Sequence, residues 1–323
     1  MKKGNFTIGE YSPPDIVMNE QLIFYKTRFA PTPSGFLHLG NIYSFAVTAA
    51  LAKKTGAKIL LRIDDFDREK TNKLYVQDIF DTLNFLGIPW HEGPQNMKEY
   101  EQEYSQVHRM GIYNNALKEL KESGVLFACT CSRADLLRHN PDSIYTGTCS
   151  DKNLPLDTEN ASWRILTSNT KQLAVKTVHG SIINANLPIA MNDFIVRKKD
   201  GFPAYQLISI LDDITFGIDL VVRGEDLWPS TVAQHYLSSF IGEDIFANTA
   251  FYHHPLLMDI EGHKLSKSEG ATSVYHLRQQ GKKPADIYGL IARILHIDTV
   301  PENWEELIAL LDLNEHPYFT API

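Results

Sequence analysis

The chain has 323 residues and a mass of 36.6 kDa, which suits a core domain carrying insertions. Hydrophobic residues make up 43% and charged residues 22%, ordinary globular values that exclude a disordered, collagen-like or coiled-coil chain. Thirty-nine acidic residues against 31 basic ones give a formal charge of −8, so nucleic acid would have to be met through a local basic face. No uninterrupted apolar run of about 18 residues reads as a membrane span. Three cysteines, an odd number, argue against a disulfide framework. The two N-terminal lysines lack the apolar core of a signal peptide. The expected setting is soluble and cytoplasmic.

Residues 1–24 read as an N-terminal extension, either a poorly ordered leader or a partner-binding arm, with a turn or extended segment at Ser12-Pro13-Pro14-Asp15. Phe24 to Phe29 is strand-like, and Ala30 to Gly35 then breaks any regular element with two prolines. A helix follows from about Leu39 to Lys54, because Ile42, Phe45, Ala46, Ala49 and Ala50 recur at helical spacing and Gly56 supplies a stop. Lys58 to Ile63 is an apolar strand with Asp64-Asp65 at its carboxyl end. Strand, helix and strand form one βαβ unit and hence a parallel sheet. Helices are expected at about 76–86 and 103–123, completing a first catalytic half over 25–124. Residues 125–190 hold every cysteine, a polar loop and several short strand candidates, and read as an insertion. The parallel pattern returns over 191–260 with Tyr205 to Leu211, Asp219 to Arg223 and Ala250 to His254 as strands and a helix from Thr231 to Phe240. Residues 261–323 carry a lysine–serine loop and helices at about 285–295 and 302–311.

Two segments carry chemistry. The first, Pro33 to Asn41, joins the first strand to the first helix, where open α/β sheets bind ligands. Amide hydrogens and a positive dipole end attract phosphate there. Gly40 would let a flat base approach the backbone, and His38 could donate to a phosphate oxygen. A tight turn with a capping histidine is the plainer alternative. The second, Lys264-Leu265-Ser266-Lys267-Ser268, lies between Gly262 and Gly270. Its lysines suit pyrophosphate, and a loop of this kind can close over phosphates as charge develops.

Together these segments resemble the signatures of the class I aminoacyl-tRNA synthetases, a His-Ile-Gly-His type sequence and a Lys-Met-Ser-Lys-Ser type sequence. Here they stand as His38-Leu39-Gly40-Asn41 and Lys264 to Ser268. Arg28 to Gly35, Tyr205 with Asp212-Asp213, and Val222 to Leu227 resemble the glutamyl and glutaminyl branch. The match spans roughly residues 25–275. Only 55 residues follow Ser268, too few for the anticodon-binding region of discriminating glutamyl enzymes. That shortness, with the cysteines, resembles the glutamyl-queuosine tRNA(Asp) synthetases, which transfer glutamate to the queuosine of tRNA(Asp). The resemblance implies an α/β, Rossmann-like parallel-sheet class I catalytic domain with an inserted zinc-bearing acceptor-type subdomain and a short helical C-terminal region.

It also implies roles. Arg28, Ala30, Thr32, Asp64, Tyr205 and Arg223 would bind L-glutamate, with Arg223 a bidentate partner for a substrate carboxylate. His38, Gly40, Asn41 and Lys267 would bind ATP, and His38, Gly40, Asn41, Lys264 and Lys267 would serve catalysis. Mg²⁺ would arrive with ATP, held largely through phosphates and water. No protein nucleophile is needed, since the substrate carboxylate attacks the α-phosphate. The sequence departs from the family's pattern in three places. Thr32 replaces a common serine, Asp64 replaces a common glutamate, and Asn41 replaces a histidine. Because glutaminyl enzymes also carry Asp-Asp, Asp64 leaves glutamine open as the substrate.

Cys129, Cys131 and Cys149 fall within 21 positions, which suggests structural zinc before a disulfide. The resemblance supplies Tyr145 as fourth ligand, whereas generic ligand chemistry favours His139. Ordinary packed thiols are the alternative. Arg62, Arg68, Lys70 and Arg197-Lys198-Lys199 could meet tRNA phosphates, although the last run also reads as a hairpin turn before Asp200-Gly201. His253-His254 reads as packing near the nucleotide rather than a metal pair, and Trp163-Arg164 as insertion core. No membrane and no obligatory protein partner are expected. Two other readings stand: a shortened ligase charging its cognate glutamate or glutamine tRNA, and a non-catalytic nucleotide-binding paralogue.

Overall fold

A computed structural model describes residues 23–67, 71–140, 144–167, 172–241, 244–258, 273–311 and 313. Lys264, Lys267, Arg68, Lys70 and residues 1–22 lie outside the described residues.

The first βαβ unit forms as its pattern requires. Strand β1 (Lys26–Phe29) pairs in parallel with β2 (Lys58–Leu61). Helix α1 (Leu39–Thr55) crosses between them and ends at Gly56 in the left-handed region, φ 79°. Helix α2 (Lys73–Leu86) is capped by Asn72. A single turn, α3 (Met97–Glu99), a π turn over Tyr100–Tyr104 and a 3₁₀ turn over Gln106–Arg109 lead into α4 (Met110–Glu122). The expected helix over 103–123 therefore starts late, and the irregular backbone before it aims Tyr100, Ser105 and Gln106 at Asp65.

Strands β3 (Leu126–Cys129), β4 (Ser162–Ile165) and β7 (Ile195–Arg197) make a small antiparallel sheet, with α5 (Arg133–His139) after β3. Strands β5 (Leu173–Thr177) and β6 (Ile182–Ala185) belong elsewhere: β5 runs parallel to β9 (Ala250–His254), which pairs with β8 (Leu220–Gly224). Strand pairing thus crosses residue 190 in both directions. β5 joins the parallel sheet from the cysteine-bearing side, and β7 joins the cysteine-bearing sheet from the other.

The segment Tyr205 to Leu211, expected as a strand, is the start of α6 (Tyr205–Thr215). Leu207, Ile208, Ile210 and Leu211 are all buried, and an apolar run reads alike in a buried strand and a buried helix. Eleven residues after an extended Ala204 make it helix. Helix α7 (Trp228–Ser238) follows β8, and a single turn, α8 (Asp244–Ala247), precedes β9. Helices α9 (Val274–Gln279), α10 (Pro284–Ile294) and α11 (Trp304–Ala309) close the chain on α1 and α2.

Strand alternation splits the core between two faces. Leu220, Val222, Ala250 and Tyr252 pack with α1, α2, α10 and α11, whereas Val221 and Phe251 pack with α4, α6 and α7. Burial on both faces is what parallel strands need. β1 runs beside β8, where the Asp219 amide donates to the Lys26 carbonyl at 3.1 Å and Asp219 accepts from the amides of Tyr25 and Lys26. The carboxyl ends of β1, β2 and β8 consequently meet at one edge. No helix among the described residues is long and apolar enough to cross a membrane.

Candidate active site

At that edge lies a cleft of about 370 Å³. Every described residue expected to bind glutamate or ATP lines it: Arg28, Ala30, Thr32, Asp64, Tyr205 and Arg223, with His38, Gly40 and Asn41. They come from the ends of three strands and the starts of two helices, so chain distances of up to 195 residues collapse into one site.

At the start of α1, His38 Nδ1 accepts the Gly40 amide at 3.1 Å, and Asn41 Oδ1 accepts the His38 amide at 3.1 Å. Both the plain capping role and the cleft position therefore hold for His38. With Nδ1 accepting, a neutral ring carries its proton on Nε2. A Cβ on Gly40 would lie 3.0 Å from the imidazole Cε1, so glycine here sets the ring's position. At Gly224 a Cβ would lie 2.6 Å from Asp226 Oδ1 and 2.8 Å from Leu256 Cδ2, so a side chain there would have to move both. His254 lines the cleft and bonds Ser44 Oγ at 2.9 Å.

Beyond His38, aromatic contacts fasten the segment before it to the chain's last third. Phe36 stacks on Tyr275 at 4.0 Å, the Val274 amide donates to the Leu37 carbonyl, and Asp78 bonds both the Leu37 amide and Arg278.

The acidic end of the cleft is a buried ion network. Arg28 Nε and Arg62 Nη1 both donate to Asp213 Oδ1, at 3.1 and 2.5 Å. Arg62 also forks onto Asp64, Nε to Oδ1 at 2.7 Å and Nη2 to Oδ2 at 3.1 Å. Behind it, Asp212 takes a fork from Arg109 and the Tyr113 hydroxyl at 2.6 Å. Arg62 is 3% exposed and sits among carboxylates, so it is removed from the basic residues available to tRNA phosphates. Burial pushes the Asp64 carboxyl up, with the Arg62 charge opposing it. Asp212 is also pushed up by burial, but Arg109 and Arg62 outweigh that and hold it below the usual range. Asp213 and Arg62 were not legible as pocket anchors. The available signal was two adjacent aspartates inside an apolar helical run.

Arg223 differs from these arginines. It is 4% exposed, and only Nη2 is engaged, with Thr231 Oγ1 at 2.5 Å and Gln234 Oε1 at 2.9 Å. Among the described residues Nε and Nη1 have no hydrogen-bond partner, and no carboxylate pairs with the side chain. Burial lowers its pKa to about 10, with the neighbouring Tyr205 hydroxyl opposing the shift. A buried guanidinium left without an anion is costly, and a ligand carboxylate would relieve it.

The cysteines form a second group. Cys129 ends β3, Cys131 precedes α5, and Cys149 returns on the loop before β4. Their sulfurs lie within 4.8 Å of one another, with Cys131 and Cys149 at 3.6 Å, too far apart for a disulfide. A tetrahedral zinc with bonds of about 2.3 Å spaces sulfurs at about 3.8 Å, so the three thiols fit. Tyr145 Oη accepts the Cys149 amide at 2.7 Å, beneath an Arg164 guanidinium 3.8 Å from its ring. Burial and the neighbouring sulfurs push the Cys131 thiol up to about 12. For Cys149, burial is outweighed by hydrogen bonds from Thr130 and the other thiols, and its pKa is lowered. The side chain of His139 lies outside the described residues. Trp163 is half-buried, its indole N–H on the Leu156 carbonyl, and Arg164 is buried. Lys198 to Gly201 is a hairpin turn, with the Lys198 amide on the Phe202 carbonyl.

Residues 25–316 match the profile described as tRNA synthetases class I (E and Q), catalytic domain. The chain belongs to that family. Among its relatives is the Synechococcus sp. (strain CC9605) glutamyl-Q tRNA(Asp) synthetase, 36% identical over 90% of this chain and 89% of that protein. The Symbiobacterium thermophilum glutamyl-Q tRNA(Asp) synthetase is 34% identical over 90% of this chain and 93% of its own length. The Desulfosudis oleivorans glutamate–tRNA ligase is 33% identical over 90% of this chain, which spans 61% of that enzyme. The fold is that of the glutamate-tRNA synthetase of Elizabethkingia anophelis, with a TM-score of 0.70 at 22% identity, over 90% of this chain and 66% of that one.

Proposed function

We propose that the protein activates L-glutamate with ATP and transfers the glutamyl group to the queuosine of tRNA(Asp). The observation that carries the glutamate assignment is Arg223, a buried cation lining the cleft with two nitrogens that meet no hydrogen-bond partner among the described residues. Arg28 and Arg62 pair with Asp213 and Asp64, whereas Arg223 has no carboxylate partner among the described residues. An unpaired guanidinium suits the side-chain carboxylate of glutamate better than the neutral amide of glutamine. Asp64 keeps a carboxylate for the substrate ammonium while its oxygens remain tied to Arg62. The acceptor assignment rests on the relatives that this chain covers over about nine-tenths of their length, which are named glutamyl-Q tRNA(Asp) synthetases.

In the first step a glutamate carboxylate oxygen attacks the α-phosphorus of ATP, the bond to the β-phosphate oxygen breaks, and pyrophosphate leaves. In the second, an acceptor hydroxyl attacks the activated carbonyl carbon, AMP leaves, and the hydroxyl proton passes to solvent. The protein's contribution is positioning and charge. Arg28, Tyr205 and Arg223 hold glutamate, with Ala30 and Thr32 shaping the wall. His38 donates from Nε2 toward the phosphates at the start of α1, Gly40 and Asn41 shape the nucleotide side, and Lys264 and Lys267 act on pyrophosphate. Mg²⁺ would neutralise phosphate charge, bound through phosphates and water. Cys129, Cys131, Cys149 and Tyr145 would hold a zinc ion that clips the small sheet in place.

Pyrophosphate exchange with ATP and glutamate, and no tRNA, tests the activation step. Exchange with glutamate well above exchange with glutamine is expected, and Lys267→Ala should slow it strongly while sparing the fold. Exchange with glutamine alone would contradict the assignment.

A further inference from the structure

Leu37, the residue before His38, commits both of its backbone polar groups to distant elements. Its amide donates to Asp78 Oδ2, on α2, at 3.3 Å. Its carbonyl accepts the amide of Val274, the first residue of α9, at 2.8 Å. Ser273, which caps α9, forms a backbone bridge with His38 itself. The second oxygen of Asp78 takes Arg278, from α9, and the Thr82 hydroxyl at 3.2 Å. One carboxylate thus joins α2, α9 and the turn that carries the imidazole.

Asp78 is 2% exposed and does not line the cleft. Packing does not explain it. Helix α2 already buries Val76, Ile79, Phe80, Leu83 and Leu86, and well-packed apolar side chains in place of a buried ion pair are often neutral or stabilising. What an apolar side chain cannot supply is an acceptor for the amide of buried Leu37. The imidazole has its own holds, Nδ1 on the Gly40 amide and the His38 amide on Asn41. Those bonds lie inside the turn and move with it. Asp78 and the Val274 amide are what fix the turn against the rest of the protein. A misplacement of about 1 Å at a reacting group can cost about a hundredfold in rate.

We propose that Asp78 is a positioning residue for the activation step. It holds the Leu37 amide, and through it the turn, so that His38 Nε2 meets the phosphates of ATP. Asp78 itself touches neither substrate. The role rests on the reading that His38 donates to those phosphates, and it adds the residue that places the donor.

The test is pyrophosphate exchange with ATP and glutamate in Asp78→Asn, His38→Ala and the double variant. Asp78→Asn keeps the shape of the side chain and removes one acceptor. The charge-assisted bond to Arg278 keeps the remaining oxygen, so the new NH₂ group faces the Leu37 amide and two donors are opposed. A fall in kcat of about 10- to 100-fold is expected, with KM for glutamate changed by less than about twofold. In the double variant kcat should match that of His38→Ala within about twofold, because the two residues act as one unit. Asp78→Glu, which keeps the charge and moves the oxygens by one methylene, takes the same place if Asp78→Asn does not fold. Wild-type kcat in the folded Asp78 variant would overturn the role, as would losses that multiply in the double variant. Wild-type exchange in His38→Ala would overturn the reading of His38 itself, and the role of Asp78 with it.

Discussion

Arg223 donates to Thr231 Oγ1 at 2.5 Å, and this bond turns the guanidinium so that Nη2 alone serves the protein. The hydroxyl itself is held, since Thr231 Oγ1 also bonds His253 Nε2 at 2.7 Å. Burial, together with the Arg223 charge, holds the His253 pKa well below its ordinary value, so the ring is neutral and adds no competing charge. A cation oriented by neutral groups is arranged to receive an anion from outside the protein.

Arg223→Lys should therefore fail to substitute. An ammonium cannot fork onto a carboxylate. The loss expected is about 2–3 kcal/mol, or roughly a 30- to 150-fold fall in kcat/KM for glutamate in pyrophosphate exchange, with KM for ATP little changed. An equal effect on both substrates would remove Arg223 from the glutamate side.

Asp213 joins Arg28 to Arg62 through a single oxygen. Asp213→Asn leaves buried Arg28 without its carboxylate partner, while Arg62 keeps its fork on Asp64, and it should cost about 3–5 kcal/mol in denaturant unfolding. It should also raise KM for glutamate, because Arg28 loses its anchor. Lowered stability with unchanged KM would make Asp213 structural only.

Gly40→Ala tests the link between helix start and imidazole. A methyl group 3.0 Å from the His38 ring must displace it, whereas the helix itself gains a better former. Slower exchange at unchanged or slightly raised thermal stability is expected. Full activity would separate His38 from the phosphate chemistry.

His235 gives a pH dependence. It is buried against Phe246 and Phe251, and burial, helped by the Arg223 charge, lowers its pKa to about 4. The unfolded chain binds this proton below about pH 6.5, and the native state does so only below about 4. Stability from this group is thus complete above pH 6.5 and falls as pH drops toward 4, by about 3 kcal/mol. In urea titrations across that window, wild type should lose stability relative to His235→Phe as pH falls. A constant gap would assign the acid sensitivity elsewhere.

The cysteines predict about one zinc per chain in untagged protein. Cys149→Ser should release it and lower the unfolding temperature, as should a strong chelator. Zinc content well below one per chain in correctly folded protein would leave the three thiols as packing.

Much of this site was legible before any coordinates. The first βαβ unit followed from helical spacing and Gly56, the strand-end rule placed Pro33 to Asn41 at the ligand edge, and the family resemblance supplied Arg28 and Asp64. What escaped depended on three-dimensional partners. Tyr205 to Leu211 was misread because full burial erases the difference between helix and strand. Arg62 looked like a tRNA contact because a sequence cannot show that Asp64 and Asp213 surround it. The crossing of residue 190 escaped because β5 finds its partner, β9, more than 70 residues later.

The most direct test of the account is transfer of labelled glutamate, with ATP and Mg²⁺, to three purified acceptors: queuosine-bearing tRNA(Asp), the same tRNA without queuosine, and tRNA(Glu). Label on the queuosine-bearing tRNA(Asp) alone is the predicted result. Label on tRNA(Glu) would contradict it and make the protein a ligase for the cognate tRNA.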